Sequence, residues 1–268
     1  MTLSEQHQSG KYPLTALVIA SNEERNIGRC LRSVGDWVAE SLVVVNDCTD
    51  ATVRVAKALG ARVLEHTWEG YGAQKNFGSA LATQSWILSL DADEEISPEL
   101  RCSIQKFLSQ NSSNYAAAYF QRMVCFQGRW IRHGDWYPDE QLRLYRKDRG
   151  RWTEHAVHEH LEVKGRIMRL RGPLHHYTYR SLREQVQVGL NYGELWLRDR
   201  KLRPVWVFEI LARAFWRFFR GYLLKFGFLD GFLGLYIALS QSFLVFYRYT
   251  SLRECYEEKR WGQGERMS

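Results

Sequence analysis

Short apolar runs, each followed at once by polar residues, recur through the first third of the chain. Runs at 14–20, 42–45, 61–65 and 86–90 have the length of buried strands, and the segments between them have the periodicity of helices. Strands that alternate with helices in this way form βαβ units with parallel strands and right-handed crossovers. The sequence therefore predicts an α/β fold built on a mostly parallel sheet.

Four helices are expected between and after these strands. Ser97 is a favourable N-cap for the last of them, because its hydroxyl can accept a hydrogen bond from a backbone N–H of the first turn. The first expected helix has the apolar face Ile27, Cys30, Leu31 and Val34. The other three are expected at 51–59, 71–83 and 98–109.

The fourth apolar run leads directly into a cluster of acids that includes Asp91 and Asp93. Side chains alternate along a strand, so these two carboxylates are expected on the same side. Mg²⁺ and Mn²⁺ prefer oxygen ligands, and ligands of open α/β sheets bind at the carboxyl ends of strands. A solvated acidic turn is the alternative, but the helix opening at 97–99 does not explain Asp91 and Asp93. The cluster therefore predicts a site for Mg²⁺ or Mn²⁺.

Polar pairs follow two further strands, namely Asn22-Glu23 and Asn46-Asp47. Convergence of such residues at one edge of a sheet is the arrangement that a nucleotide site requires. Neither the GxGxxG pattern nor the GxxxxGK[ST] pattern occurs, which argues against a dinucleotide fold and a P-loop.

The pattern changes after the helix at 98–109. Apolar and polar residues alternate loosely at 115–126, which indicates a strand of a mixed sheet, and 142–146 indicates another strand. A loop rich in aromatic and charged residues separates them at 128–140. From about Ser181 the chain has helical periodicity. We therefore expect three parts, listed in order: a flexible arm at 1–12, an α/β domain at 13–178, and a helical region at 179–268.

The charge of the chain indicates an anionic partner. Lys and Arg number 37 against 30 Asp and Glu, a formal net charge of +7. The five cysteines include no CxxC pair, which is typical of a reducing compartment and argues against a cysteine zinc site. The polar N-terminus contains no apolar core of a secretory signal.

Several blocks of the chain resemble the family 2 glycosyltransferases of GT-A fold, in order and spacing over residues 13–250. The blocks are Asn22-Glu23, the run Asn46–Thr52, Gly70–Asn76 and Leu88–Glu94. Tyr137–Tyr145 and His158-Glu159 also resemble the branch that adds a sugar to the lipopolysaccharide inner core. The resemblance implies a GT-A domain and an inverting transferase that uses a nucleotide sugar, commonly UDP-glucose, with Mg²⁺ or Mn²⁺.

The resemblance also implies roles for single residues. Asp93 is expected as the principal metal ligand, with Asp91 near the ribose or the metal and Lys75 near the diphosphate. Asn46 or Asp47 is expected at the uracil edge. The remaining nucleotide-sugar contacts are assigned to Asn22 and Glu23.

The acceptor side is less closely defined by the resemblance. Asp139 is expected as the catalytic base, with Glu140 and Glu159 as rivals. An Asp that follows Pro is also common in turns, which is the structural alternative for Asp139. His158 is a candidate third metal ligand or phosphate contact, against the alternative of a partly buried structural histidine.

The C-terminal region combines aromatic and basic residues. Arg213, Arg217 and Arg220 recur at helical spacing beside a wide aromatic arc, which suits a helix in an anionic membrane interface; a core-packed helix is the alternative. Residues 231–247 carry no formal charge but lie at the short limit for a membrane span. We therefore expect a peripheral protein on the cytoplasmic face of the plasma membrane, acting on a lipid-linked saccharide.

Two other functions are alternatives to glycosyl transfer. The cluster His155–His160 suggests a metal-dependent hydrolase, although it lacks HExxH spacing. The basic and aromatic residues suggest a nucleic-acid-binding protein, but no helix-turn-helix or RNP-like pattern occurs. We expect no nucleic-acid partner.

Overall fold

The strands expected in the first third of the chain are all present in the structure, a computed structural model that describes residues 10–154, 159–198 and 200–264. The described residues form two units. The first comprises the chain up to Met123 together with Asp139–Tyr177, and the second comprises Val124–Pro138 together with the chain from Thr178. The segment 124–138, expected within the α/β domain, therefore belongs to the second unit.

The first unit opens with the alternation of strands and helices that the sequence predicts. Its elements are β1 (Tyr12–Ala20), α1 (Ile27–Val34), β2 (Val38–Val45), α2 (Thr52–Ala58), β3 (Arg62–Glu65), α3 (Tyr71–Leu81) and β4 (Trp86–Asp91). β2 and β4 both pair in parallel with β1, and β3 pairs in parallel with β2. The apolar face predicted for α1 is buried, as expected. Since Tyr12 opens β1, the strand begins within the segment predicted as an arm.

The chain then adds antiparallel strands. The elements are β5 (Glu94–Ile96), α4 (Pro98–Gln110), β6 (Ala117–Phe126), β7 (Arg129–Trp130), β8 (Asp139–Arg146), β9 (Gly150–Trp152), β10 (Leu161–Val163) and β11 (Ile167–His176). The main sheet has the order β3-β2-β1-β4-β8-β6-β11-β5, while β9 and β10 pair separately. β8 is antiparallel to both β4 and β6. The prediction of an α/β GT-A fold, with a parallel half and a mixed half, is confirmed.

The structure differs locally from the sequence prediction in three places. β5 has only three residues, two of them acidic, and β11 carries charged residues among its apolar ones, so neither has a clean strand pattern. The segment predicted as a loop at 128–140 contains β7 and a short helix at Gly134–Trp136. Asp139 is the first residue of β8 and not a turn residue.

The predicted N-cap of α4 is present, because Ser97 Oγ accepts a hydrogen bond from the Leu100 amide at 3.2 Å. The start of α4 packs closely on β11. Gly172 in β11 has φ +93°, and a Cβ at this position would lie 2.7 Å from Leu100 Cα. Only glycine combines this backbone conformation with this approach.

The second unit is helical apart from its short segment before β8. It contains α5 (Leu182–Arg198), α6 (Val207–Phe219) and α7 (Gly231–Gly264). Among the described residues, α7 with its preceding turn is the one helix long and apolar enough to cross a membrane. The arginines predicted as a lipid-facing stripe are paired within the unit: Arg217 and Arg220 contact Asp135, and Arg213 contacts Glu209. The three arginines are therefore paired with carboxylates of their own unit, and their contact with lipid stays a prediction.

We expect Gly172→Ala to destabilise the protein more than Gly60→Ala. Both glycines have positive φ, which costs a residue with a Cβ roughly 1–2 kcal/mol. Only Gly172 adds a collision with backbone, for which overpacking predicts about 1–3 kcal/mol more, because nothing lies within 4 Å of a Cβ at Gly60. Denaturant unfolding of both variants measures the difference, and equal losses would contradict the packing described here.

Candidate functional site

The carboxyl ends of three parallel strands meet at one edge of the sheet. Ala20 of β1 is paired with Val45 of β2, and Ile19 is paired with Asp91 of β4. The polar segments that follow these strands therefore start side by side, as the sequence predicts.

Asp91, the last residue of β4, lies between two buried cations. Arg143 Nη2 is 2.6 Å from Asp91 Oδ2, and Lys75 Nζ is 3.4 Å from Asp91 Oδ1. Each cation also contacts a second carboxylate, since Arg143 is 3.1 Å from Glu94 and Lys75 is 3.3 Å from Glu159. Asp91 thus belongs to a larger electrostatic structure.

Arg122 extends this structure in the other direction. Its guanidinium lies 3.4 Å from Glu94 Oε1 and 2.8 Å from Asp139 Oδ2. Carboxylates and cations therefore alternate from β8 through β4 to α3. We name this set the charge network: Asp139, Arg122, Glu94, Arg143, Asp91, Lys75 and Glu159.

The electrostatics of the charge network fix its ionisation. Burial would raise the pKa of Asp91, but the positive charges of Arg143 and Lys75 hold it well below its usual range. Burial would lower the pKa of Arg143, but Asp91 and Glu94 raise it. The neighbouring acids also affect Cys30. Burial is the main cause that raises the pKa of its thiol, and the negative charge of Glu94 raises it further. The carboxylate of Asp91 is therefore held ionised by its two cationic partners.

Asp93 has different partners from Asp91. β4 ends at Asp91, and Asp93 lies in the two-residue turn before β5, where its Oδ2 is 3.1 Å from His176 Nε2. The alternation of a continuous strand does not reach Asp93, so the same-side placement of Asp91 and Asp93 stays a prediction. Glu95, two residues after Asp93, accepts a hydrogen bond from the Tyr177 hydroxyl at 2.7 Å.

Asn22 organises the loop after β2. With φ +55°, its Oδ1 accepts hydrogen bonds from the backbone amides of Thr49 and Asp50, at 2.8 and 3.3 Å. The backbone amide of Glu23 donates to Thr52 Oγ1 at 2.7 Å. Both predicted nucleotide contacts therefore have a structural role in holding the 46–52 loop, and direct contact with a nucleotide stays a prediction.

Asn46 and Asp47 lie at the start of the same loop. Asn46 Nδ2 donates to Asp47 Oδ2 at 3.1 Å, and Asp47 has φ +44°. The contacts of these two side chains with a uracil edge stay predictions.

Lys75 is buried within α3 and does not face outward. Besides its two carboxylates, its ammonium lies 4.5 Å from the centre of the Trp152 ring. The predicted approach of Lys75 to a diphosphate is not favoured by this arrangement, in which it neutralises Asp91 and Glu159.

The three candidate bases are in different surroundings. Asp139 accepts hydrogen bonds from Arg122 Nε and Gln141 Nε2, both at 2.8 Å, which fix its orientation. Glu140 is half exposed and lies 3.4 Å from Arg169. Glu159 is held by Lys75 within the charge network. Asp139 is thus an oriented carboxylate at the start of a strand, and its role as base stays a prediction.

The histidines expected near the acids are only partly described. His155 and His158 lie outside the described residues, so the predicted metal ligand His158 is not assigned a position. His160 Nδ1 lies 3.3 Å from Thr153 Oγ1, across the β9–β10 pair. Glu159 faces Lys75 instead. The described part of the His155–His160 cluster therefore does not converge on one point.

The donor set suits a cation that takes most of its ligands from substrate and water. Among the described residues, no group of three or more His, Cys, Asp or Glu side chains is arranged to hold a metal. The side chains of Asp91 and Asp93 are 29% and 20% exposed, but Asp91 is engaged by two cations, whereas Asp93 lies beside a histidine, His176. Mg²⁺ is commonly bound through one or two carboxylates plus substrate phosphates, so Asp93 fits this mode.

Sequence reasoning identified Lys75 but missed the two arginines of the charge network, Arg122 and Arg143, and the partner of Asp93. Arg143 stands between Leu142 and Leu144 in an apolar run, and a charged residue in such a strand is buried only when it is paired. That signal identifies Arg143 as a site residue in retrospect. His176 lies 83 positions after Asp93, and no local pattern connects them.

Asp91→Asn is expected to destabilise the first unit by about 3–5 kcal/mol, because it leaves Arg143 and Lys75 buried without this carboxylate. The control is Asp148→Asn, which removes an exposed partner of Arg146 and is expected to cost at most about 1 kcal/mol. Denaturant unfolding at neutral pH measures both.

The same pair of proteins gives a pH test. A carboxylate with a lowered folded-state pKa contributes stability above its unfolded pKa and loses it as pH falls. The gap between wild type and Asp91→Asn should therefore shrink below about pH 4, the usual range for Asp. A gap that stays constant down to acid pH would contradict the pairing.

Comparison with known proteins gives the family of the chain. The family model Glycosyl transferase family 2 matches residues 15–177. An uncharacterized glycosyltransferase of Rickettsia typhi is 29% identical over 253 residues, covering 90% of this chain and 87% of the relative. The lipopolysaccharide core biosynthesis glycosyltransferase LpsC of Rhizobium meliloti is 28% identical over 192 residues, covering 69% of this chain and 70% of LpsC.

A solved structure of residues 1–349 of TarS from S. aureus has a TM-score of 0.46 and 15% identity to this chain, and the match covers 92% of this chain and 91% of that solved chain. The family match runs from Thr15 in β1 to Tyr177, the residue after β11, and includes every member of the charge network. The chain belongs to glycosyl transferase family 2.

Proposed function

We propose that the protein transfers a sugar, glucose being the one we favour, from a UDP-sugar to a lipid-linked saccharide such as the lipopolysaccharide inner core. Transfer would invert the anomeric configuration in a single displacement. Family membership makes the protein a glycosyltransferase and replaces the hydrolase and nucleic-acid-binding alternatives. The acceptor class is supported by LpsC, whose name assigns it to lipopolysaccharide core biosynthesis.

The observation that carries the proposal is the meeting of the loops after β1, β2 and β4. A nucleotide bound across parallel strand ends meets the amide of Asn46 on one strand and the acids after β4 on the other. Asn46 donates to Asp47, which orients its amide oxygen as an acceptor for uracil N3–H.

A divalent cation is proposed from the charge of the site. The charge network contains four carboxylates and three cations, and Asp93 and Glu95 lie beside it. A diphosphate is itself anionic, so its approach to these acids is favoured by a cation that both can bind. Asp93 would hold Mg²⁺ or Mn²⁺, with His176 or His158 nearby. When bound, the cation supplies stabilisation of the charge on the departing diphosphate.

The protein side chains carry the proton transfer. Asp139 would remove the proton from an acceptor hydroxyl, whose oxygen then forms a bond to the anomeric carbon. The bond from that carbon to the diphosphate oxygen breaks, and the diphosphate leaves with the electron pair. Arg122 and Gln141 hold the Asp139 carboxylate in one orientation for this step.

We propose a peripheral location on the cytoplasmic face of the plasma membrane. A lipid-linked acceptor is confined to a membrane, and all five cysteines of the chain are free thiols, which suits a reducing compartment. Incubation with a panel of nucleotide sugars and a truncated inner-core acceptor, with detection of UDP, tests the proposal. Release of another nucleotide, or of none, would overturn the assignment of the donor.

Asp93→Asn is expected to lower transfer by at least about 100-fold at a fixed Mn²⁺ concentration, because an amide is a weaker ligand for a hard cation. The control is Glu95→Gln, which changes a neighbouring acid bound by Tyr177. Calorimetric titration with Mn²⁺ in the presence of UDP checks the cause. Unchanged Mn²⁺ affinity in Asp93→Asn would remove Asp93 as the ligand.

Asp139→Asn is expected to lower turnover by about 10²–10⁴-fold, the usual contribution of a general base. The affinity for UDP should stay within about twofold, since the base acts on the acceptor. Glu140→Gln and Glu159→Gln are the comparison variants. If one of these loses turnover while Asp139→Asn keeps it, the role of base passes to that residue.

A further inference from the structure

The second unit presents a large apolar surface on α6 and the start of α7. We call it the aromatic face and define it by Trp206, Phe208, Leu211, Phe215, Leu229 and Phe232. Phe208 is 82% exposed, Trp206 76% and Phe232 71%, values that are high for large apolar residues. Contiguous exposed apolar surface of this kind marks an interaction site.

The aromatic face continues along α7. Leu239, Phe243 and Phe246 are exposed, and they follow Phe232 at intervals of seven, four and three residues. Residues at this spacing lie on one side of a helix. The opposite side of α7, with Leu233 and Ile237, is buried within the unit. The apolar surface therefore runs along both helices and is not an isolated patch.

The charged residues of the same segment turn away from this surface and pair within the unit. Arg217, Arg220 and Lys225 lie 3.0, 2.8 and 3.3 Å from the carboxylate of Asp135, which is buried. Asp230 accepts hydrogen bonds from the backbone amides of Arg132 and His133. Glu209, the acid within α6, contacts Arg203 and Arg213.

This arrangement reverses that of a helix facing water. A water-facing helix buries its apolar side and solvates its charges, whereas here phenyl rings are among the most exposed side chains and the cations are paired with carboxylates of the unit, among them the buried Asp135. Such an arrangement is stable where the surroundings are themselves apolar. Hydrocarbon satisfies that condition along the whole length of the surface, and no charged side chain of the segment has to be desolvated without a partner.

We infer that the aromatic face enters the hydrocarbon of one membrane leaflet, and that burial of apolar area holds the protein there. Attraction between arginines and anionic headgroups is a secondary contribution, because the arginines already have carboxylate partners. This surface is independent of the sugar and of the reaction, so its test contains no sugar donor. The inference replaces the electrostatic docking that the sequence suggests.

The test compares flotation of the full-length protein with two sets of vesicles, phosphatidylcholine alone and phosphatidylcholine with phosphatidylglycerol. Wild type is expected to float with both, and equally at about 0.15 and 1 M salt, because salt screens charge and does not weaken apolar burial. The variant Phe208→Ser, Phe215→Ser, Phe232→Ser is expected to bind at least about 100-fold less, since each exposed Phe contributes roughly tenfold.

A matched triple variant controls for general loss of apolar surface. Leu59→Ser, Leu81→Ser, Ile167→Ser alters residues of the first unit that are 38%, 43% and 43% exposed, and should float like wild type. Quenching of tryptophan fluorescence by brominated acyl chains gives a second measurement, which can be made on the folded wild-type protein. It should be strong in wild type and smaller in Trp216→Phe, whose indole lies beside the face at 54% exposure.

Three outcomes would overturn the inference. Binding confined to phosphatidylglycerol vesicles and released by salt would assign the surface to headgroup attraction. Equal flotation of both triple variants would remove the aromatic face as the contact. Absence of vesicle binding, with a dimer that the Phe208→Ser, Phe215→Ser, Phe232→Ser variant cannot form, would identify a second copy as the occupant.

Discussion

The ion pairs of Asp91 with Arg143 and Lys75 are the interaction on which the site depends. They join the end of a parallel strand to an antiparallel strand and to a helix, and each cation reaches a further carboxylate. Buried charges are stable only as a complete set, because loss of one leaves its partner desolvated. The charge network therefore holds Asp139 and Glu159 in position relative to β4, although neither is near it in sequence.

Because of these ion pairs, Asp91 and Asp93 have different surroundings, although they are equivalent positions of an Asp-x-Asp pattern. Asp91 is neutralised from within, while Asp93 stands in the turn with a histidine as neighbour. Asp91 thus links three elements of the first unit, whereas Asp93 contacts β11, and its contact with a metal or substrate stays a prediction. The distinction comes from the antiparallel half of the sheet, which supplies Arg143 from β8 and His176 from β11.

The parallel half of the fold could be predicted from the sequence because its signals are local. Apolar runs gave β1 to β4, and the hydroxyl of Ser97 gave the start of α4. The charge network could not be predicted in the same way, since its members come from strands far apart in the chain. The partner of Arg217 and Arg220 could not be predicted for a related reason: Asp135 lies more than 80 residues earlier. Helical periodicity reports which residues share a face, but not what faces them.

The turn between β4 and β5 has a consequence for the order of assembly. These strands are joined by two residues, yet they lie in the middle and at the end of the strand order, and β5 pairs only with β11 among the described strands. As the chain leaves the ribosome, β1 to β4 can pair with sequence neighbours, whereas β5 waits for residues 167–176. Contacts of long sequence separation form slowly. Asp93 therefore acquires His176 only when the first unit is nearly complete, so the nascent protein has its parallel sheet well before this contact forms.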